Sequence, residues 1–350
     1  MVNFSEIIQI IESKRKPSLP WEREEPVPQP FYSYSPTTQT WQAVQPTSTE
    51  TTSTTQTTSS NTTFSILSWN IDFMLPSPTP RMAAALSHLH SLLTNIPHPA
   101  IVFLNEMLES DLTLLQATPW VRERYHLTDL DAQHWESGYY GTCMLIPRTL
   151  PVTKVFRVHY SATGMERDAL FVDVAVLGGA AAKLVRLCTT HLESLVAEPP
   201  KRPRQVASAA RFLVGEEARG EQGLVGGVMG GDFNAIQPFD RTLHVENGLR
   251  DAYLEMGGEE DSEEGYTWGQ MAPTKQREMF GCSRMDKLFV GGEVEVVGFE
   301  RFGLGVKVGD EEVERVLREE EGMEEGWVTD HAGVWGTFKL KEGEKGVAKI

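Results

Sequence analysis

Short, almost wholly apolar runs recur along the chain from Phe64 onward, and they restrict the fold more than any other feature. Phe64–Trp69 and Ile101–Leu104 are the first two, and each has the length of a buried strand. Between them Thr79-Pro80 has the pattern of a helix start. The helix that follows would bury one face, which carries Met82, Leu86, Leu89 and Leu93. The pattern therefore predicts a strand, a helix and a second strand at the start of the folded part.

Later runs of the same kind follow one another closely, so we expect at least part of the sheet to be antiparallel. The predicted strands are Tyr139–Ile146, Val152–Tyr160, Ala169–Ala175, Leu184–Thr190, Gly223–Gly231, Met285–Val290, Val294–Phe299 and Gly333–Leu340. Helices are expected over Leu112–Gln116 and Gln205–Glu216. Helices and strands alternate at the start of the folded part, and hairpins fill its middle. This arrangement predicts an α/β fold, a four-layered α/β sandwich in which helices flank two packed mixed β-sheets.

Residues 1–62 have a different composition, and we expect a disordered tail there, ahead of one folded domain over residues 63–350. Proline is frequent from Pro17 to Pro36, and Thr37–Thr63 is almost entirely Thr, Ser and Gln. Such a composition cannot bury enough apolar surface to offset the entropy of ordering. A short helix over Phe4–Glu12 could dock an unknown protein or have no role.

Composition and charge restrict the cellular compartment and the binding partner that we expect for this chain. No apolar run is long enough for a membrane span, and the first 18 residues do not form a signal peptide. Three well-separated cysteines argue against a disulfide framework and a zinc site. We therefore expect a nuclear or cytoplasmic protein that is not secreted. The net charge of −17 counts against nucleic acid as a partner, although the acid clusters at Glu259–Glu264 and Asp310–Glu325, leaving room for a basic groove.

Polar residues follow several of the predicted strands where each strand ends, and Asp330-His331 precedes the last one. Because strand ends meet at one rim of a sandwich, these side chains could come together across wide gaps in sequence. They are Asn70, Glu106, His191, Asp232, Asn234, Asp330 and His331. Each has an ordinary explanation by itself, such as a turn residue, a helix-terminal charge or a core histidine. Their shared position makes the combined coincidence improbable.

The residue types suit hydrolysis of a phosphodiester, which needs charge neutralisation, an oriented water and help for the leaving group. Carboxylate and amide oxygens are hard ligands for Mg²⁺, with Mn²⁺ as the alternative ion. Glu106 is the best metal-ligand candidate, supported by Asn70 and Asp330. Asp232 could orient or deprotonate the water. Asn234 could hold the water and the phosphate, and His191 and His331 could donate to the phosphate oxygens.

Five ordered motifs resemble those of the endonuclease/exonuclease/phosphatase superfamily, and within it the tyrosyl-DNA phosphodiesterase 2 family. They are Ser68–Asp72, Phe103–Glu106, Thr190–Ser194, Gly231–Asn234 and Thr329–His331. The segments Tyr266–Trp268 and Arg284–Phe289 are also similar to that family. The resemblance covers residues 64–340, which makes the folded domain the catalytic domain.

The resemblance implies a magnesium ion at Glu106 near Asn70 and Asp330, a water positioned by Asp232 and Asn234, and a phosphate contacted by His191 and His331. It also implies substrate contacts at Trp268, Arg167 and Arg202. The implied substrate is a DNA 5′ end, with or without a covalent tyrosyl adduct. Several positions depart from the family pattern: Asn105, Asp168, Lys287 and Thr329 differ in residue type, and Ala235–Asp240 lacks a basic character.

Three functions stay open at this level. The first is a DNA-repair phosphodiesterase that acts on a 5′-phosphotyrosyl bond. The second keeps the fold but changes the substrate, as in an abasic-site endonuclease, a deadenylase or a lipid or inositide phosphatase. The third is a catalytically idle binding module, against which the intact set of Glu106, Asp232, Asn234 and His331 argues.

Overall fold

The chain forms two β-sheets of seven and eight strands in the computed structural model, which describes residues 4–46, 62–178 and 181–341. The strands are β1 Pro26–Pro28, β2 Phe31–Ser35, β3 Thr40–Val44, β4 Thr63–Asn70, β5 Ala100–Leu108, β6 Tyr125–Leu127, β7 Tyr140–Pro147, β8 Val152–His159, β9 Asp168–Gly178, β10 Ala181–His191, β11 Leu224–Asp232, β12 Arg250–Asp251, β13 Asp286–Gly292, β14 Val294–Phe302 and β15 Gly333–Leu340. The helices are α1 Phe4–Lys14, α2 Pro78–Leu93, α3 Glu109–Ala117, α4 Pro119–Arg124, α5 Arg202–Leu213, α6 Glu216–Arg219, α7 Leu243–Glu246, α8 Ala252–Glu255, α9 Thr274–Phe280 and α10 Glu311–Glu319, with a 3-10 turn at Pro238–Arg241.

The order of the strands makes both sheets mixed. The seven-stranded sheet runs β1-β8-β9-β10-β11-β13-β12, and the eight-stranded sheet runs β14-β15-β4-β5-β7-β6-β2-β3. Only two neighbouring pairs in these sheets are parallel, β4 with β5 and β10 with β11. The predicted four-layered α/β sandwich is confirmed. Its two parallel pairs lie one in each sheet, and both end at the site described below.

Three apolar clusters separate the four layers. Between the sheets Phe64 and Phe103 pack with Leu187, Val228 and Leu288 of the opposite sheet. The faces turned away from this core are covered by α2 to α4 on one side and by α5 and α7 on the other. Each fully buried Phe or Leu side chain contributes roughly 1.5–3 kcal/mol, so this layered burial is the main stabilising term.

The prediction of a disordered tail over residues 1–62 is wrong for residues 4–46, which form a helix and three strands. Strand β1 pairs with β8 of one sheet, whereas β2 pairs with β3 and β6 of the other. Ile7 in α1 and Phe31 in β2 are buried. A few aromatic and aliphatic side chains therefore anchor a segment whose average composition is that of a disordered chain. The remaining Thr- and Ser-rich residues 47–61 lie outside the described residues.

An acidic run also forms more structure than its composition suggests. Part of Asp310–Glu325 is α10, whose buried Leu317 packs with Met323 and Trp327. The Asp310 carboxylate accepts the backbone N–H groups of Glu312 and Val313 and so caps the helix. Among the described residues, no helix is both long and apolar enough to cross a membrane.

Candidate active site

The two parallel strand pairs bring the predicted polar residues to one rim. Asn70 at the end of β4 is paired in register with Asn105 of β5, and His191 at the end of β10 is paired with Asp232 of β11. Parallel neighbours end at the same edge, so each pair presents two functional side chains together. The Asn70 amide donates to Asp232 Oδ2 at 3.0 Å and thereby joins the two sheets at this edge.

Backbone packing next to Asp232 leaves no room for a side chain. Gly231 has a φ of 139°, and a Cβ there would lie 1.8 Å from the carbonyl oxygen of Thr190. Asn105 of the other sheet accepts the Asp232 N–H at 3.3 Å and donates to the same Thr190 carbonyl oxygen at 3.4 Å. Glycine at 231 is therefore a steric requirement of the close approach that positions Asp232.

Left-handed backbone conformations concentrate at this rim. Asp72, Glu106, Glu166 and Asn234 have φ values of 55°, 58°, 58° and 48°. A non-glycine residue in this region costs about 1 kcal/mol or more and persists only where the surroundings impose it. Glu106 lies at an irregularity in the pairing of β5 with β7, which turns its side chain out of the regular strand pattern.

Four carboxyl groups influence one another at the rim, and their charge is incompletely balanced. Burial, Asp72 and Asp232 raise the pKa of Glu106 to about 8, against the opposing charges of Arg167 and His331. Burial and Asp72 likewise raise the pKa of Asp330 to about 7. Asp330 Oδ2 accepts the Trp268 indole N–H at 2.6 Å, whereas the buried Oδ1 has no hydrogen-bond partner among the described residues. An unpartnered buried oxygen within a cluster of carboxylates fits a bound divalent cation.

His191 lies at the rim as a neutral hydrogen-bond donor rather than as a metal ligand. Burial, Arg167 and His331 lower its pKa well below the usual value. The Arg167 guanidinium donates to Nδ1 at 2.6 Å, which leaves the proton on Nε2. Nε2 points towards Glu106 Oε1 at 3.6 Å and Asp232 Oδ2 at 3.4 Å. The spacing of these three residues would suit a metal, but a protonated Nε2 has no lone pair to offer.

His331 is instead an imidazolium held by carboxylates. Nδ1 lies 2.8 Å from Asp286 Oδ2, and Nε2 lies 3.8 Å from both Asp232 and Asp330. Burial alone would lower the pKa of His331, but Asp286, Asp330 and Asp232 outweigh it and raise the pKa well above its usual value. Asp232 acts on both this cation and Glu106, so the His331 imidazolium can stabilise negative charge that develops at the rim.

Asp232 and Asn234 form a rigid turn that can hold a water. Asp232 Oδ1 accepts the Asn234 N–H at 2.7 Å. The Asn234 side chain donates to the Leu192 carbonyl at 3.1 Å and accepts the Ser194 hydroxyl at 3.0 Å. With the Asn70 amide on its other oxygen, the Asp232 carboxylate is held in one orientation at the rim.

The three predicted substrate contacts have different surroundings. Arg167 lies at the rim between His191 and the ring of Tyr140, and its Nε has no partner among the described atoms. Trp268 lies at the rim but is only 8% exposed, so its indole fixes Asp330 and its ring face is largely covered. Arg202 corrects the expectation, because it is buried in a bidentate pair with Asp240 and also donates to backbone carbonyls.

Two residues of the site were not assigned from the sequence. Asp72 raises the pKa of both Glu106 and Asp330, and Asp286 partners His331. Asp72 lies in the Ser68–Asp72 motif, so its place after a strand was a usable signal. Asp286 begins β13, and its partner is 45 residues away, so local pattern gave no indication of the pair.

Comparison with known proteins agrees with this geometry. Residues 67–331 match the model of the endonuclease/exonuclease/phosphatase family. The chain belongs to this family. The match runs from β4 to His331 and so contains every residue described at the rim. No curated protein matches the chain in sequence.

Solved structures of family members share the fold at low identity. Truncated Caenorhabditis elegans TDP2 is 23% identical, with a TM-score of 0.58, and covers 79% of this chain and 98% of its own. D. rerio TDP2 complexed with single-strand DNA product is 18% identical, with a TM-score of 0.58 and coverages of 80% and 100%. The mannosyl-6-phosphatase Bt3783 of Bacteroides thetaiotaomicron is 14% identical, with a TM-score of 0.55 and the same coverages. At such identities the likeness shows the fold.

Proposed function

We propose that the chain is a Mg²⁺-dependent phosphodiesterase that hydrolyses an ester bond at a DNA 5′ end, with a 5′-phosphotyrosyl bond as the first substrate to test. One observation carries the proposal. One rim of the fold brings together carboxylates that could bind a metal, a turn that could hold a water, a neutral histidine and a charged histidine. The chain also belongs to the endonuclease/exonuclease/phosphatase family.

The metal would be held by Glu106 and Asp330, with Asp72 and the second lone pair of Asn70 Oδ1 nearby. When bound, Mg²⁺ supplies positive charge to the non-bridging phosphate oxygens, and Mn²⁺ can do the same. The raised pKa values of Glu106 and Asp330 support this assignment, because burial and the neighbouring carboxylates disfavour their negative charges, which a bound cation would stabilise.

The remaining residues handle the water and the phosphate. Asp232 orients the attacking water and accepts its proton, and the Asn234 amide holds the water in line with phosphorus. The neutral Nε2–H of His191 and the His331 imidazolium donate to the phosphate oxygens. Arg167 keeps His191 in the donating tautomer and adds positive charge beside the same phosphate.

Exposed apolar side chains beside the rim support a nucleotide substrate. Met279 and Phe280 at the end of α9 are 74% and 62% exposed, and the Phe280 ring lies 6.4 Å from that of Trp268. Such side chains contact sugar and base faces without reading sequence. A D. rerio relative of the same fold carries single-strand DNA product. A DNA substrate would place the reaction in the nucleus.

A smaller phosphate ester is the second candidate, because cations around the rim are engaged. Lys201 pairs with Glu193, and Arg284 and Lys287 pair with Glu260. Affinity for a polynucleotide needs several free cations for its phosphates. The shared fold of a Bacteroides thetaiotaomicron mannosyl-6-phosphatase makes this class a necessary arm of the assay.

The test is a substrate panel with purified protein in Mg²⁺, in Mn²⁺ and in EDTA. A 5′-phosphotyrosyl oligonucleotide should be converted to a 5′-phosphate oligonucleotide and tyrosine. Abasic-site DNA, poly(A) and a phosphoinositide are the competing substrates. Glu106→Gln and Asp232→Asn should each lose most of the activity, whereas Glu293→Gln, in the exposed turn between β13 and β14, should retain it.

The outcomes separate the candidate functions. Preferential cleavage of another member of the panel would replace the DNA-end substrate and keep the chemistry. Equal cleavage by wild type and Glu106→Gln would overturn the assigned site. A protein that neither binds Mg²⁺ nor Mn²⁺ in calorimetry nor cleaves any substrate would be a catalytically idle binding module.

A further inference from the structure

The N-terminal segment is attached to the same loop that carries Arg167. Trp21 stacks on His159 at 4.0 Å, and both Trp21 and Arg23 bind the buried Glu136 carboxylate. The Glu136 N–H in turn donates to Asp168, the neighbour of Arg167 in the chain. Arg15 pairs with Glu166 on the other side of Arg167. The segment from Arg15 to Arg23 is thus a neighbour of the active-site rim.

A cavity of about 300 Å³ lies between this segment and the loop at residues 163–166. Arg15, Lys16 and Arg23 line it from one side, and Glu136 and Glu166 from the other. We call it the N-terminal pocket. Glu166 also lines the cleft that contains Arg167 and His191, so the pocket and this cleft of the active site share a wall.

The charges of the pocket favour an anion. Glu136 is almost fully buried and already accepts from Arg23 and Trp21. Glu166 is engaged by Arg15 through Nε, while the Arg15 side chain is 56% exposed. Lys16 donates its three N–H groups to the carbonyl oxygens of Ala132, Gln133 and Trp135, so it contributes positive charge to the pocket but has no N–H left for a ligand. The charged residues that line the pocket are therefore three cations and two carboxylates.

We infer that the N-terminal pocket binds the nucleotide adjacent to the scissile phosphate, with that nucleotide's other phosphate bound by Arg15. The inference rests on the proposed function for the identity of the substrate. The volume suits one nucleotide, and the exposed guanidinium can bind a phosphate in bidentate fashion. The segment that composition marked as a tail then supplies a substrate-binding residue.

The test compares Arg15→Glu and Arg15→Lys with a matched control. Lys183→Ala also removes one exposed cation from an ion pair, but it lies near the start of β10, whereas His191 lies at the end of that strand. Substrates are a 5′-phosphotyrosyl oligonucleotide and the p-nitrophenyl ester of thymidine 5′-monophosphate, which has a single phosphate. For Arg15→Glu, the ratio of kcat/KM between the two should fall about fivefold through KM, as expected for one exposed phosphate contact. Arg15→Lys should restore most of it, and the control should keep the wild-type ratio.

Binding gives a readout that needs no catalysis. In a Glu106→Gln background, fluorescence anisotropy of a labelled oligonucleotide is followed against salt. Loss of one phosphate contact lowers the slope of log K against log salt by about 0.7 for a single strand. An unchanged slope and an unchanged ratio would overturn the pocket, even if the small ester is cleaved normally. Failure to cleave either substrate would count against the proposed function, whereas the anisotropy slope would still decide the pocket.

Discussion

Replacing Glu106 by Gln should make the metal-free protein more stable, although it should abolish metal-dependent activity. The pKa of Glu106 is about 8, compared with an ordinary value of 4.5. The folded protein therefore keeps a proton on Glu106 that the unfolded chain releases above pH 4.5. The free energy of unfolding consequently falls as pH rises from about 4.5 to about 8. A glutamine does not titrate, and its amide oxygen can still accept the Phe73 N–H that Glu106 Oε2 accepts at 3.0 Å.

The size of the effect follows from the same pKa. Neutral pH lies about 2.5 pH units above the ordinary value, and each unit is worth about 1.4 kcal/mol, which gives about 3 kcal/mol at pH 7. Urea unfolding in EDTA between pH 5 and pH 8.5 measures it. The two proteins should differ little at pH 5, and the advantage of Glu106→Gln should grow up to about pH 8.

Mg²⁺ should reverse the order of stability. At pH 7, a ligand that binds only the folded state at 1,000 times its Kd adds about 4.1 kcal/mol, which exceeds the advantage of Glu106→Gln; wild type should gain this stability and Glu106→Gln should not. Glu193→Gln is the control, because Glu193 is also largely removed from solvent but accepts from Lys201 and Thr163, and its replacement should destabilise the protein. The reasoning is refuted if Glu106→Gln is the less stable protein in EDTA at pH 8, or if the difference does not depend on pH.

Three further changes test the surroundings of the site. Asp286→Asn should lower kcat/KM about 10- to 100-fold and shift the loss of activity at high pH to lower pH, because the His331 imidazolium loses its carboxylate partner; a pH–rate profile measures both. Arg202→Met should lower the free energy of unfolding by about 3–5 kcal/mol in urea, since it leaves a buried carboxylate unpaired. Gly231→Ala should cost about 3 kcal/mol or more in the same assay, whereas Gly257→Ala, which also has a positive φ but nothing within 4 Å of a new Cβ, should cost about 1 kcal/mol.

The local pattern of apolar residues was sufficient to predict the part of the fold in which strands and helices alternate. The first strand, helix and second strand were expected over Phe64–Trp69, from Pro80 and over Ile101–Leu104, and they correspond to β4, α2 and β5. Apolar runs of strand length and a proline at a helix start are consequences of burial and backbone geometry that a sequence carries directly.

The gathering of the site residues could be predicted, but their pairings could not. Polar residues that follow buried strands must lie at a sheet edge, so Asn70, Glu106, His191 and Asp232 were identified together. Which atoms meet depends on register and on how the two sheets are packed, as the 3.0 Å contact from Asn70 to Asp232 across the sheets shows. The charge states of the two histidines follow from those pairings and so were also out of reach of the sequence.

The N-terminal segment shows where an argument from average composition fails. Ordering residues 15–44 costs conformational entropy along the whole segment, but the offsetting contacts are made by a few positions. Trp21 and Phe31 bury aromatic surface, Glu24 accepts the Ser161 N–H and the Ser208 hydroxyl, and Gln29 donates to the Thr128 carbonyl. The average composition of the segment does not distinguish these anchoring residues from the prolines between them. The prolines also lower the conformational entropy of the unfolded segment, so less entropy is lost when it becomes ordered. Because β1 extends one sheet and β2 the other, the segment covers edges that would otherwise expose unpaired backbone groups. The segment therefore belongs to the folded domain on physical grounds.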